Sequence, residues 1–249
     1  MTRYVVRKLA AELENRQASV DVLEIENQGS RDISIQDYDA VGIAYPVHSL
    51  NAPKIVVDFV RGLQRWEGKP AFVLCTVGED SIANSASSEL LIRLLQKKGF
   101  TVFFEKKFTM PSNFIIKDGP ESARAKLEKV DAETPSAVDG ILNNSPFMIK
   151  AGFFAKLLSY IGRVEWLGTR FVKFYSDSEC DGCGICAAKC PNHNIAIEDG
   201  GAASRAVFKW DCGLCMRCLY LCPQRAIHIR FPMKFIAFEK WYEDDVFRL

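Results

Sequence analysis

The spacing of hydrophobic and polar residues predicts alternating helices and strands over residues 1–145. Apolar side chains recur at helical spacing in residues 3–14, with charged residues between them, and this predicts an amphipathic helix. Apolar and polar residues alternate in residues 20–25, as they do in a half-buried strand. Further strands are predicted at residues 40–47, 71–78 and 101–108, and further helices at residues 53–63, 85–98, 121–130 and 137–142. Strands that alternate with helices are typical of a parallel α/β sheet.

Residues 147–175 form a different kind of segment, in which large apolar and aromatic side chains alternate with five basic residues and one acidic residue. A basic amphipathic helix of this kind can lie on a membrane surface or on a partner, and it can also pack between two domains. We favour packing between domains, because linker helices commonly do this, and we expect no membrane association. The predicted divisions are an α/β domain at 1–145, a linker at 146–175, a cysteine-rich domain at 176–231 and an aromatic tail at 232–249.

The cysteine-rich domain contains eight of the nine cysteines, in two copies of one pattern. Each copy reads Cys-x2-Cys-x2-Cys-x3-Cys-Pro, and the copies begin at Cys180 and Cys212. Structural zinc and disulfides are the alternatives to an iron–sulfur site. Zinc sites normally pair two Cys-x2-Cys hooks across a longer gap. An odd number of cysteines without a signal-peptide pattern favours a reducing compartment, so we expect a cytoplasmic protein.

The double pattern resembles the bacterial 2[4Fe–4S] ferredoxins over about residues 174–231. The resemblance implies two clusters, and it implies that the cysteine before each proline ligates the other cluster. One implied ligand set is Cys180, Cys183, Cys186 and Cys222, and the other is Cys212, Cys215, Cys218 and Cys190. The second copy has bulkier residues, such as Leu214 and Met216, where the first copy has glycine, so we expect the two clusters to be shielded differently.

Residues 38–60 (YDAVGIAYPVHSLNAPKIVVDFV) and 69–80 (KPAFVLCTVGED) resemble the flavodoxin-like fold, a doubly wound parallel α/β sheet. Together with the smaller α+β ferredoxin domain, the chain resembles flavodoxin–ferredoxin fusion proteins, which occur mainly in anaerobic bacteria and archaea. The resemblance implies FMN at the carboxyl edge of the sheet, with His48, Ser49 and Thr76 as candidate contacts. The sequence begins inside the first helix of that fold, so either the native start lies upstream of Met1 or the first strand and phosphate loop are lost, and FMN binding stays open.

Composition adds little to this picture. The chain has 249 residues, 48% hydrophobic and 25% charged, with a net charge of +1, so charge gives no argument for nucleic acid binding. Cys75 lies in an apolar run and is expected to be a core thiol. The sequence predicts an electron-transfer protein that passes single low-potential electrons to redox partner proteins, with a flavodoxin-like domain that either binds FMN or acts as a docking scaffold. The alternative is a flavin-dependent reductase with the clusters as an internal relay, although no group of residues identifies a catalytic side chain.

Overall fold

The computed structural model describes residues 1–27, 34–112, 118–163, 174–199 and 204–230. The chain divides into two compact units, the first formed mainly by Met1–Arg163 and the second by Val164–Glu243. The tail at 232–249 and the second half of the linker lie outside the described residues. The predicted domain boundaries therefore stay predictions.

The first unit is built around a parallel three-stranded sheet with the order β1-β2-β3. Val41 of the first strand pairs with Ala71 of the second, and Lys69 of the second pairs with Phe100 of the third. The elements are α1 (Thr2–Asn15), β1 (Val41–Pro46), α2 (Lys54–Gly62), β2 (Lys69–Val77), α3 (Glu89–Lys97), β3 (Phe100–Thr109), α4 (Pro120–Leu142) and α5 (Phe153–Gly162). This arrangement confirms the predicted parallel α/β sheet.

Helices cover the sheet because its strands carry apolar side chains on both faces. On one face, Leu74 and Phe108 pack with buried residues of α1 and α4, such as Val5 and Val138. On the other face, Cys75 is fully buried and its Sγ lies 3.7 Å from the Ser88 hydroxyl at the start of α3. The prediction that Cys75 is a core thiol is confirmed, and burial raises its pKa to about 12.

The strand predicted at residues 20–25 is wrong. Residues 21–24 have no regular structure, and a short 3-10 helix follows at Ile25–Asn27. Val22 and Leu23 are 54% and 52% exposed. A strand is held by a neighbouring strand, and β1 pairs only with β2 among the described strands. Alternating side chains indicate which residues suit a sheet face but not whether a partner strand is adjacent.

Residues 121–130 and 137–142 are helical as predicted, but the predicted break between them is wrong, because α4 runs through both segments with Pro135 inside. Proline removes one backbone donor and crowds the preceding turn, so it usually ends a helix. Here the turns on both sides bury side chains, including Val130 and Val138, in the core that they share with α1. The Thr134 hydroxyl also donates to the Val130 carbonyl at 2.8 Å. This tertiary packing explains why the helix continues.

Helix α5 lies in the segment predicted to be a basic amphipathic linker, and it belongs to the first unit. Its small residues Ala155, Ser159 and Gly162 are buried, whereas Phe153 and Tyr160 are 82% and 66% exposed. In the part of the chain that the structure describes, no helix is both long and apolar enough to cross a membrane. The expectation that the protein does not associate with membranes stays a prediction.

The free edge of β3 is covered by the chain that follows α4. Glu105 N–H donates to the Phe147 carbonyl at 2.8 Å, and Phe147 N–H donates to the Phe103 carbonyl at 3.0 Å. Ile149 N–H donates to Oε2 of Glu105 at 3.0 Å, and Glu105 is only 3% exposed. Burial raises the pKa of Glu105, and the hydrogen bonds to Ser88 and Ile149 only partly oppose this.

We expect Glu105→Gln to stabilise the first unit, and more strongly at pH 8 than at pH 5. Because burial raises the pKa in the folded state, the folded protein holds this proton to higher pH than the unfolded chain does. Stability is therefore lost as the pH rises from the unfolded-state pKa through the folded-state pKa. Glutamine keeps an oxygen for Ile149 N–H without a charge. Urea unfolding at both pH values measures the effect, and a variant less stable than the parent at pH 8 would contradict it. Exposed Glu128→Gln is the control and should show no such dependence.

Candidate metal centre

The second unit consists of short elements arranged around the eight clustered cysteines. They are β4 (Phe174–Ser176), α6 (Ile185–Ala188), β5 (Ile195–Asp199), β6 (Ser204–Phe208), α7 (Arg217–Leu221) and β7 (Ile227–Ile229). Strand β4 pairs antiparallel with β7, and β5 pairs antiparallel with β6. The buried core contains Phe174, Leu219 and Ile227, and most of the cysteines pack against it. These elements fit the predicted small α+β domain.

The two halves of this unit repeat the same local structure. In each half a residue with positive φ precedes a short helix, and the third cysteine of the run lies in that helix, as Cys186 in α6 and Cys218 in α7. The fourth cysteine follows the helix and precedes a proline and a strand, β5 or β7. The repeat in the sequence therefore corresponds to a repeat in structure.

Four cysteines of the first predicted ligand set converge on one open cavity. Its walls include Cys180, Cys183, Cys186 and Cys222, together with Ile197 and Ile227. Contacts between the two halves hold Cys222 near the first run. Asp177 N–H donates to the Ala226 carbonyl at 3.0 Å, and Gln224 Nε2 donates to Oδ2 of Asp181 at 3.1 Å. Nε2 of His228 lies 2.7 Å from Oδ2 of Asp177.

Equivalent contacts hold Cys190 near the second cysteine run. Asp211 N–H donates to Oδ1 of Asn194 at 2.6 Å, and Asn192 Nδ2 donates to the Asp211 carbonyl at 2.9 Å. The pKa of Cys212 is raised to about 11, mainly by burial and to a lesser extent by the neighbouring Cys215 and Cys190. Each group of thiols therefore takes three cysteines from one half and one from the other.

Backbone N–H groups are directed at several of these sulfurs. Asn194 N–H donates to Sγ of Cys190 and Ala226 N–H to Sγ of Cys222, both at 3.3 Å. Leu214 N–H donates to Sγ of Cys212 at 3.4 Å. Such bonds stabilise negative charge on a thiolate, so they suit sulfurs that bind metal.

The thiols themselves are all available as ligands. All nine cysteines lie among the described residues, and none forms a disulfide. Within the described ranges, no group of three or more His, Cys, Asp or Glu side chains is arranged around a single metal ion.

Residues 179–227 match the family described as the 4Fe-4S dicluster domain. The C-terminal unit contains a 4Fe-4S dicluster domain. The chain is also 38% identical over 52 residues to the DNA-directed RNA polymerase subunit Rpo3 of Methanosarcina acetivorans, and 36% identical over 64 residues to that of Methanosarcina mazei. These matches cover 21% and 26% of this chain, and the chain spans only 20% and 24% of the length of those relatives.

Two solved structures resemble a larger part of the chain, with low sequence identity. A rubredoxin oxygen:oxidoreductase from the anaerobe Desulfovibrio gigas is 18% identical with a TM-score of 0.41, and the match covers 57% of this chain and 33% of that one. An oxidoreductase from Corynebacterium diphtheriae is 16% identical with a TM-score of 0.35, and the match covers 57% and 86%.

The predicted flavin loop that follows β1 is closed by the protein itself. His48 and Asn51 exchange two backbone hydrogen bonds of 2.9 Å, and Ser49 between them has a φ of 48°. The buried amide of Asn51 faces α5, because Ser159 Oγ donates to its Oδ1 at 2.9 Å and its Nδ2 donates to the Ser159 carbonyl at 2.8 Å. The loop that carries His48 and Ser49 is therefore fixed by the end of α5.

The predicted flavin loop that follows β2 is closed in a similar way. Thr76 is buried, and its hydroxyl lies 2.8 Å from the Thr2 hydroxyl of α1. The Gly78 carbonyl accepts a hydrogen bond from Nζ of Lys126 in α4 at 2.8 Å. Neither loop contains an aromatic residue that could stack on a flavin ring. The residues of these two loops do not fit FMN.

We expect Gly162→Ala to lower the free energy of unfolding by about 1–3 kcal/mol, the usual cost of overpacking. A Cβ at Gly162 would lie 2.3 Å from the Ser49 carbonyl oxygen, where α5 meets the loop after β1. Gly152→Ala at the other end of α5 is the control, since nothing lies within 4 Å of a Cβ there. Gly152→Ala should lower the free energy of unfolding by no more than about 1 kcal/mol. Urea unfolding compares the two, and equal effects would mean that this contact does not hold α5 in place.

Proposed function

We propose that this protein is a cytoplasmic electron carrier that holds two [4Fe–4S] clusters and passes single low-potential electrons to redox partner proteins. The observation that carries the proposal is the convergence of Cys180, Cys183, Cys186 and Cys222 on one cavity, within a 4Fe-4S dicluster domain. Three of these thiols come from one half of the domain and one from the other, as the crossed ligand sets require. We assign no catalytic residue.

In this proposal the side chains and backbone of the domain have three tasks. Cys180, Cys183, Cys186 and Cys222 form one ligand set, and Cys212, Cys215, Cys218 and Cys190 form the other. Backbone N–H groups directed at the sulfurs offset part of the negative charge on the thiolates. The apolar core limits the access of water to the ligands. Bound clusters supply the one-electron chemistry.

We infer that the first unit contributes without FMN, as a scaffold on which a redox partner docks. Two features support the absence of FMN from the first unit. The hydroxyl of Thr76 is engaged by Thr2, and the amide of Asn51 is engaged by Ser159, so the two loops that a flavin would contact are closed. The alternative, a flavin-dependent reductase, requires the same loops to open and receive the isoalloxazine ring.

The first experiment is metal, sulfide and flavin analysis of the chain purified without oxygen. We expect about eight iron and eight sulfide per chain, no flavin, and a brown colour that bleaches with dithionite. A colourless protein that contains zinc would overturn the electron-transfer proposal. One flavin per chain together with the iron would overturn the scaffold role of the first unit and favour the reductase.

Double cysteine variants test the crossed ligand sets. Cys190→Ala and Cys215→Ala should each lower the iron content from about eight to about four. The double variant C190A/C215A should keep about four iron, because both changes affect one cluster, whereas C186A/C190A should lose both clusters. Cys75→Ala is the control and should keep all the iron, since Cys75 is buried in the first unit. If C186A/C190A keeps about four iron and C190A/C215A loses both clusters, each half binds its own cluster.

A further inference from the structure

The two halves of the dicluster domain use the same backbone conformation with different residues. Gly182 and Gly184 have φ values of 69° and 76°, and Leu214 and Met216 at the equivalent positions have φ values of 50° and 58°. Positive φ values favour glycine and are uncommon for other residues. The second half therefore places two large side chains where the first half has none.

Both of these side chains contact the apolar core of the unit. Met216 is only 3% exposed and belongs to the buried core, and Leu214 packs against the same core. At the first ligand group Cys183 is exposed, and the adjacent Ile185 is 39% exposed. The first group is therefore open to solvent at Cys183, whereas none of the four cysteines of the second group is exposed.

Charge also differs between the two ligand groups. Glu179 and Asp181 are exposed beside the first group, and Arg225 is the exposed cation in the loop after Cys222. The Asp181 carboxylate is held in place, because Cys183 N–H donates to its Oδ1 at 3.1 Å. Beside the second group, the Arg217 guanidinium donates to the carbonyl of Lys189, which brings two cationic residues together. Among the described residues that flank the first group in sequence, two exposed side chains are acidic and one is basic, and beside Cys212 the exposed acidic residue is Asp211.

We propose that electrons enter and leave this protein through the surface around Cys183, and that this surface docks a redox partner with a basic patch. The inference rests on the proposed function, since it requires a cluster in each ligand group. The rate of electron transfer falls steeply with distance, so the side chains of Leu214 and Met216 should slow direct exchange at the second group. Acidic groups around the open site would attract a cationic partner and orient it.

The test follows the oxidation of dithionite-reduced protein by hexaammineruthenium(III), a small cationic one-electron oxidant, by stopped-flow absorbance without oxygen. In each event one electron leaves the reduced protein and reduces ruthenium(III) to ruthenium(II), with no bond made or broken and no proton moved. A dependence on ionic strength is expected, because exposed charges are screened by salt.

Two matched charge variants locate the site of exchange. Asp181→Asn removes a negative charge and keeps an oxygen for Cys183 N–H, and it should slow oxidation several-fold at low salt but not at high salt. Asp211→Asn makes the same change beside Cys212, keeps the backbone hydrogen bonds of Asp211 to Asn192 and Asn194, and should slow oxidation less than Asp181→Asn does. If Asp211→Asn slows the reaction and Asp181→Asn does not, exchange takes place at the second group and the inference is overturned.

A third variant tests the shielding directly. Gly184→Met gives the first half the residue that Met216 provides in the second, and the nearest atom to its Cβ is Cγ1 of Ile197 at 3.9 Å. This variant should slow oxidation at all salt concentrations, and it should also slow the removal of iron by bathophenanthroline. Leu214→Gly should have the reverse effect on iron release from the second group. Unchanged iron release in both variants would contradict the shielding.

The charge variants decide the question even if Gly184→Met does not fold. A protein that contains about eight iron and is reduced by dithionite, but is oxidised equally fast in all variants, overturns this inference and leaves the electron-carrier proposal intact. A protein that assembles no clusters overturns the electron-carrier proposal itself, and this inference with it.

Discussion

The crossing of the two cysteine runs is the constraint on which the second unit depends. Neither half provides four thiols at one place, because Cys190 lies with the second run and Cys222 with the first. The contacts between Asp211 and Asn194 and between Asp177 and Ala226 hold the two halves in this arrangement. A unit with a core this small gains little stability from apolar burial alone, so metal binding and folding are expected to be coupled.

The two halves differ in side chains but share a backbone conformation at the positions before each short helix. A left-handed conformation costs an ordinary residue roughly 1–2 kcal/mol, and glycine avoids this cost at Gly182 and Gly184. Full burial of a methionine side chain contributes about 1.5–3 kcal/mol, which offsets the cost at Met216. The strained position is therefore stable where the side chain has a core to enter. In the half with glycine, Cys183 is exposed to solvent.

The parts of the structure that follow from local pattern could be predicted from the sequence. The repeated cysteine spacing identified every candidate ligand, and apolar runs located β1, β2 and β3 to within two residues. The contacts that join distant residues could not be predicted. Asn194, Asp181 and Gln224 are ordinary loop residues in the sequence, and only the fold shows that they connect the two halves. The predictions at Pro135 and at residues 20–25 failed for the same reason. Packing decides whether the helix continues through Pro135, and a neighbouring strand decides whether residues 20–25 form a strand.

The first unit shows how a chain can close an edge of its own sheet. Loops at the carboxyl ends of parallel strands are the usual place for a ligand, because several of them converge there with free backbone groups. Here Thr2 reaches Thr76 and the end of α5 reaches Asn51, so the polar groups that could receive a ligand are satisfied internally. Opening this edge would leave the buried amide of Asn51 without partners, at a cost of about 1–3 kcal/mol. The closed edge is therefore a stable feature of the unit.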